Sequence, residues 1–188
     1  YSTDAFIRTL DVPEGITFCV MINASDILVK GKYNEKILST LFPETSKTSR
    51  LSLVRIACHT VEFFEALPAF EFLNSKGYKV AFNLMQVSEC EPEELKLLSK
   101  EAQKYPFDVL YFADSLGNMN TEKVLNVIEL LRTHWKGALG IHAHDNMGLA
   151  LSNSLYAINK GITWVDSTVT GMGRGAGNVK TELLVIEI

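Results

Sequence analysis

Short apolar runs rich in β-branched and aromatic residues recur along the chain, and patterns of helical period separate them. The runs are ITFCVMI (16–22), LVRIAC (53–58), KVAFNLM (79–85), VLYFA (109–113), ALGIHA (138–143) and ITWVDSTV (162–169). Strand–helix repeats of about 25–35 residues predict βαβ units and a parallel sheet. Near-continuous apolar strands predict a sheet covered on both faces. The helix predicted from Pro92 to Tyr105 has proline at a first-turn position and acids around its start, which suits the dipole. Its apolar stripe is Leu95, Leu98, Ala102 and Tyr105. The next helix, Thr121 to Trp135, shows Val124, Ile128, Leu131 and Trp135, and Gly148 to Lys160 shows Leu151, Leu155 and Ile158 before a closing Gly161. A fourth runs from Thr60 to Lys76 before Gly77, with Pro68 placed to kink it. No Gly/Ser-rich linker interrupts the 188 residues, so 1–188 reads as one α/β domain, either an open doubly wound sheet or a closed (β/α)8 barrel. No G-x-G-x-x-G follows the first run, which disfavours a dinucleotide fold.

Composition narrows the function classes. A net charge of −4 without a Lys/Arg run offers no footprint for nucleic acid. No apolar stretch approaches the roughly 20 residues that span a bilayer, and YSTDAFIRTL lacks a signal-peptide pattern. Cys19, Cys58 and Cys90 are odd in number and widely spaced, and read as reduced packing residues of a cytoplasmic protein.

Chemistry collects at the C-terminal ends of five runs: His59 and Thr60; Asn83 and Gln86; Asp114 and Ser115; His142, His144 and Asp145; Asp166, Ser167 and Thr168. In parallel α/β folds that edge holds the site. Within GIHAHDNMG (140–148), His142 and His144 are two positions apart on a strand, so both imidazoles share a face and could grip one metal ion. Asp145 should point to the opposite face. Two neutral imidazoles completed by oxygen ligands leave open positions for a chelating substrate, and a metal there stabilises charge on a carbonyl oxygen. This favours metal-assisted C–C chemistry or hydrolysis.

IHAHDNMGLALSNSLYAINKG (141–161) followed by VDSTVTGMGRGAGN (165–178) resembles the HMGL-like (DRE-TIM type) metal-dependent aldolase and lyase superfamily, from about Leu53 onward. The resemblance is nearest to the 4-hydroxy-2-oxovalerate aldolases. It implies a TIM barrel with the H-x-H strand seventh and the glycine loop after the eighth. It implies His142 and His144 as metal ligands, with His142 also close to substrate, and Asn178 near or on the metal. For Asn178 the alternative is a helix N-cap. Ser115, in YFADSLG, matches a serine that helps hold pyruvate, its alternative being a cap for the following helix. RIACHTVE (55–62) is similar to the family's fourth strand, so His59 either polarises a substrate oxygen or fills the barrel mouth; Asn83 is a parallel case. His134 receives no role. The loop carries Arg174 and no cysteine, unlike the coenzyme A lyase pattern.

The implied function is a Mn²⁺- or Mg²⁺-dependent aldolase that cleaves a 4-hydroxy-2-oxo acid to pyruvate and an aldehyde through a metal-bound enolate. It would be a homo-oligomer with a possible aldehyde dehydrogenase partner. The rivals are a Claisen-type acyltransferase or lyase using acyl-CoA, and an inactive barrel serving as a binding subunit. The family's first-strand Asp and Arg find no match, because Thr9-Leu10-Asp11 and DVPEG lead into a run rather than ending one. ITFCVMI resembles the third barrel strand, so the chain reads as an incomplete barrel, about strands three to eight. With no anionic donor beside the histidines, such a piece should bind Mg²⁺ or Mn²⁺ weakly, show little aldolase activity and present an open sheet edge.

Overall fold

A computed structural model describes residues 3–11, 13 and 15–188. Positions 12 and 14 of DVPEG and the first two residues of the N-terminal stretch lie outside the described residues. The chain forms two compact units, Tyr1–Phe82 and Asn83–Ile188.

In the first unit, a short helix α1 (Thr3–Ile7) precedes β1 (Phe18–Asn23). Then come α2 (Ala24–Ile27), the strands β2 (Leu28–Val29) and β3 (Lys32–Tyr33), α3 (Glu35–Leu41) and β4 (Leu51–Cys58). β1 pairs with β4 in parallel, Cys19 opposite Leu53 and Ile22 opposite Ile56. β4 is buried along nearly its whole length, as its apolar sequence predicts. β1 is not covered in this way: its burial alternates, and Cys19, Met21 and Asn23 are exposed. The helix expected from 60 to 76 is two helices, α4 (Thr60–Ala66) and α5 (Ala69–Ser75), with Pro68 capping the second. Proline cannot donate to the preceding turn, so the ladder breaks there. Gly77 and Gly161 adopt positive φ just past their helices, the expected C-terminal stop.

β5 (Lys79–Leu84) runs across the boundary into the second unit, where α6 (Pro92–Ala102), β6 (Val109–Asp114), α7 (Thr121–Arg132), β7 (Ala138–Ala143), α8 (Ala150–Asn159), β8 (Trp164–Val165) and α9 (Thr181–Glu187) follow. β6, β7 and β8 are parallel neighbours in chain order, and α7 and α8 connect them. α6 buries Leu95, Leu98 and Ala102, and α7 buries Val124, Ile128 and Leu131 with Trp135 beyond it, as the periodicity predicts. The Trp135 ring stacks on Phe107 at 4.6 Å, and its indole N–H donates to Ala138 O at 2.9 Å.

α8 corrects the sequence reading. Its buried face is Ala150, Asn153, Ser154 and Ala157, while Leu151, Leu155 and Ile158 are only partly covered. The buried face is made of small and polar side chains, and the Asn153 amide is used there, donating to Met119 O at 2.8 Å. β8 is also shorter than its run, because beyond Val165 the chain leaves the sheet toward the glycine-rich loop.

Candidate metal and substrate site

β7 presents His142 and His144 at its C-terminal end, both partly buried. Their ring centroids are 5.1 Å apart with the planes at 79°, the side-by-side placement that i, i+2 spacing dictates. The glycine-rich loop returns across this end. Asn178 forms an antiparallel bridge with His144, and Asp145 N donates to Gly177 O at 3.0 Å. Asn178 is thereby buried to 7% exposure. Its amide donates to Ala143 O at 3.3 Å and points at His142 Nε2 from 3.4 Å. It is not the helix cap that sequence left open, since α9 begins at Thr181 with Lys180 as N-cap.

From β8 a further side chain joins the pair. Asp166 Oδ2 lies 2.7 Å from His142 Nδ1. The carboxylate was visible in sequence only as one polar strand end among five; its apposition to His142 depends on the β7–β8 register.

Electrostatics keep His144 a lone-pair donor. Burial first, then the electrostatic influence of His142 and Arg174, holds its imidazole below the usual histidine range. A hydrogen bond with the Arg174 backbone and the charge of Asp114 oppose this. Asp145 is engaged elsewhere, its Oδ1 accepting from Ala150 N at 2.9 Å at the start of α8. Asp114, buried at the end of β6, accepts from the backbone N–H groups of Asn118 and Met119, both at 3.1 Å, and so braces its own loop.

Ser115 follows Asp114 and is half-buried. It does not cap α7, whose N-cap is Asn120. Its Oγ accepts instead from Gln86 N at 3.0 Å, holding a residue with φ +55°. The hydroxyl hydrogen remains available to a ligand. Asn83 is buried in β5. His59, in the first unit, is the exposed N-cap residue of α4, its backbone N–H donating to Glu62 at 2.9 Å.

The donor set suits part of a divalent-metal site. Two imidazoles share a strand face, one is tied to a carboxylate, and a side-chain amide lies beside them. Among the described residues no group of three or more His, Cys, Asp or Glu is placed to hold a metal ion.

A unit of parallel strands joined by helices, with polar side chains gathered at the strands' carboxyl ends, belongs to the α/β barrel class. Residues 15–188 match the HMGL-like family model, and the chain belongs to that family. It is 34% identical over 142 residues to a 4-hydroxy-2-oxovalerate aldolase of Geobacillus genomosp. 3, covering 76% of this chain and 42% of that protein. A 4-hydroxy-2-oxovalerate aldolase of Carboxydothermus hydrogenoformans is 37% identical, covering 71% and 40%. An oxaloacetate decarboxylase of Mycobacterium tuberculosis is 33% identical, covering 72% and 40%. The aligned stretch thus spans about two fifths of these relatives. The HMG-CoA lyases of Bacillus subtilis and Pseudomonas aeruginosa superpose with TM-scores of 0.73 and 0.74 at 20% and 17% identity. They cover 94% and 97% of this chain, and it covers 63% and 65% of them. The fold is therefore the α/β barrel of those lyases, represented in part. Among the described residues no helix is long and apolar enough to cross a membrane.

Proposed function

We propose that the protein is a divalent-metal-dependent aldolase that cleaves a 4-hydroxy-2-oxo acid to pyruvate and an aldehyde. The observation that carries the reading is the His142–His144 pair on one strand face with Asn178 folded against it. Aldolase and oxaloacetate decarboxylase relatives point the same way. Both names describe cleavage of the C3–C4 bond of a 2-oxo acid, which leaves its electron pair on the pyruvate fragment as an enolate. In the aldol case the 4-hydroxyl loses its proton, the C3–C4 bond breaks, the aldehyde departs, and C3 then takes up a proton.

His142, His144 and Asn178 would hold Mn²⁺ or Mg²⁺. When bound, the ion supplies Lewis-acid stabilisation of the charge that develops on the 2-oxo oxygen. Ser115 offers its hydroxyl hydrogen to the substrate carboxylate, and Asn83 is a second candidate for a substrate oxygen. The role of His59 in polarising substrate is carried by its sequence context alone. The whole protein would be a cytoplasmic homo-oligomer passing its aldehyde to a dehydrogenase. The loop carries Arg174 and no cysteine, which favours the reading over a thioester lyase.

The test incubates the purified full-length protein and Mn²⁺ with 4-hydroxy-2-oxovalerate, following pyruvate. A parallel reaction holds acetyl-CoA and a 2-oxo acid, following free coenzyme A. Pyruvate release is expected; coenzyme A release without pyruvate would replace the aldolase reading by the acyltransferase one.

Ser115→Ala is expected to raise KM for the oxo acid about ten- to a hundredfold. A hydrogen bond to a charged group is worth roughly 1.5–3 kcal/mol. The same change leaves Gln86 N without its acceptor, so the melting temperature should fall slightly as well. A lowered melting temperature with an unchanged KM would reduce Ser115 to a brace for the Gln86 turn.

A further inference from the structure

We propose that Asp166 is a positioning residue that fixes the tautomer and ring orientation of His142. The parallel register sets Gly140 opposite Trp164 and Ile141 opposite Val165, which places residue 166 beside residue 142. Asp166 N donates to Ile141 O at 3.0 Å, extending the pairing by one step after β8 ends. The carboxylate therefore rises from a fixed backbone position, and its Oδ2 meets His142 Nδ1 at 2.7 Å.

An ionised carboxylate only accepts hydrogen bonds. The proton must accordingly sit on Nδ1, which leaves the lone pair of a neutral imidazole on Nε2. Nε2 is the nitrogen facing Asn178, at 3.4 Å. Both side chains of the Asp166–His142 pair are about a quarter exposed, 25% and 24%. A part-exposed contact of that kind adds little stability, so it matters for which nitrogen is free and where it points. Losing a carboxylate that orients a ligating histidine typically costs 10–100-fold in metal affinity. His144 is held differently, its backbone bridging Asn178 of the glycine loop. The two histidines are thus tied to separate elements, one to the chain after β8 and one to the glycine loop.

The consequence for ion binding rests on the proposed function, whereas the tautomer is a property of the chain without metal. The test is long-range ¹H–¹⁵N correlation NMR on the metal-free protein, followed by titration with Mn²⁺, for wild type, Asp166→Ala and Asp166→Asn. Wild-type His142 is expected to show a protonated Nδ1 and an unprotonated Nε2. In Asp166→Ala the proton should redistribute toward Nε2, and Mn²⁺ affinity should fall about 10–100-fold. Asp166→Asn keeps a side-chain oxygen at the same place and should lie between, which guards against misfolding of the alanine variant. A wild-type His142 protonated on Nε2, or ring shifts identical in all three proteins, overturns the proposal. If the tautomer is as stated but Mn²⁺ leaves the His142 and His144 signals sharp, the positioning role stands and the metal reading fails.

Discussion

In the full-length protein, alanine in place of His142 or His144 is expected to lower Mn²⁺-supported aldol cleavage about a thousandfold. A bound divalent ion contributes several kcal/mol to stabilising developing charge, and about 4 kcal/mol corresponds to roughly three powers of ten. The Asp166 carboxylate is engaged with His142 Nδ1, and Asp145 with the start of α8. Both rings are partly exposed at a strand end and fill no core position, and each replacement should leave the fold intact. Circular dichroism checks the fold, metal analysis the ion and a pyruvate assay the rate. His134→Ala, altering a partly exposed residue just after α7, serves as the control and should behave as wild type. Normal metal content and normal activity in His142→Ala would remove the pair from the site.

The pairing of these histidines was readable in advance because it follows from strand periodicity alone. β6 was similarly transparent: VLYFAD is buried at every position, and a strand covered on both faces must be apolar throughout. The first unit shows where such reading stops. β2, β3 and α3 carry no extended apolar period, so only the Lys30-Gly31 turn, with positive φ at both residues, marks the hairpin. On α8 the large side chains suggested the wrong face, since periodicity finds bulk while the buried side is made of small residues. In the site, Asp166 and His142 are 24 positions apart, and local sequence holds no information on their register. Ser115 is a comparable case. Its partner Gln86 lies 29 residues away, and a serine six residues before a helix gives no sign of bracing another loop.

The loop that seats Asn178 yields the second large effect. Gly177→Ala is expected to destabilise the protein by about 2–5 kcal/mol and to displace Asn178. Gly177 has φ +87°, and holding an L-residue in left-handed backbone costs about 1–2 kcal/mol. A Cβ there would also stand 2.0 Å from Gly171 O, a backbone atom that cannot swing aside as a side-chain tip would. Overpacking of this kind typically adds about 1–3 kcal/mol. The loop can relieve the clash only by breaking its own ties. Gly177 N donates to Arg174 O, Asn178 N donates to Gly171 O, and Gly177 O accepts from Asp145 N. Each tie ends beside a candidate ligand, so Mn²⁺ affinity should fall together with stability. Gly175→Ala separates the two causes: its φ is +65°, yet the nearest atom to an added Cβ is Asn146 Nδ2 at 3.9 Å. That variant should lose only the conformational part, about 1–2 kcal/mol, and keep its metal affinity. Urea denaturation and Mn²⁺ titration of both variants decide the matter. Equal losses in the two would mean that the Gly171–Gly177 contact yields without cost, and that the loop does not hold Asn178 against the histidines.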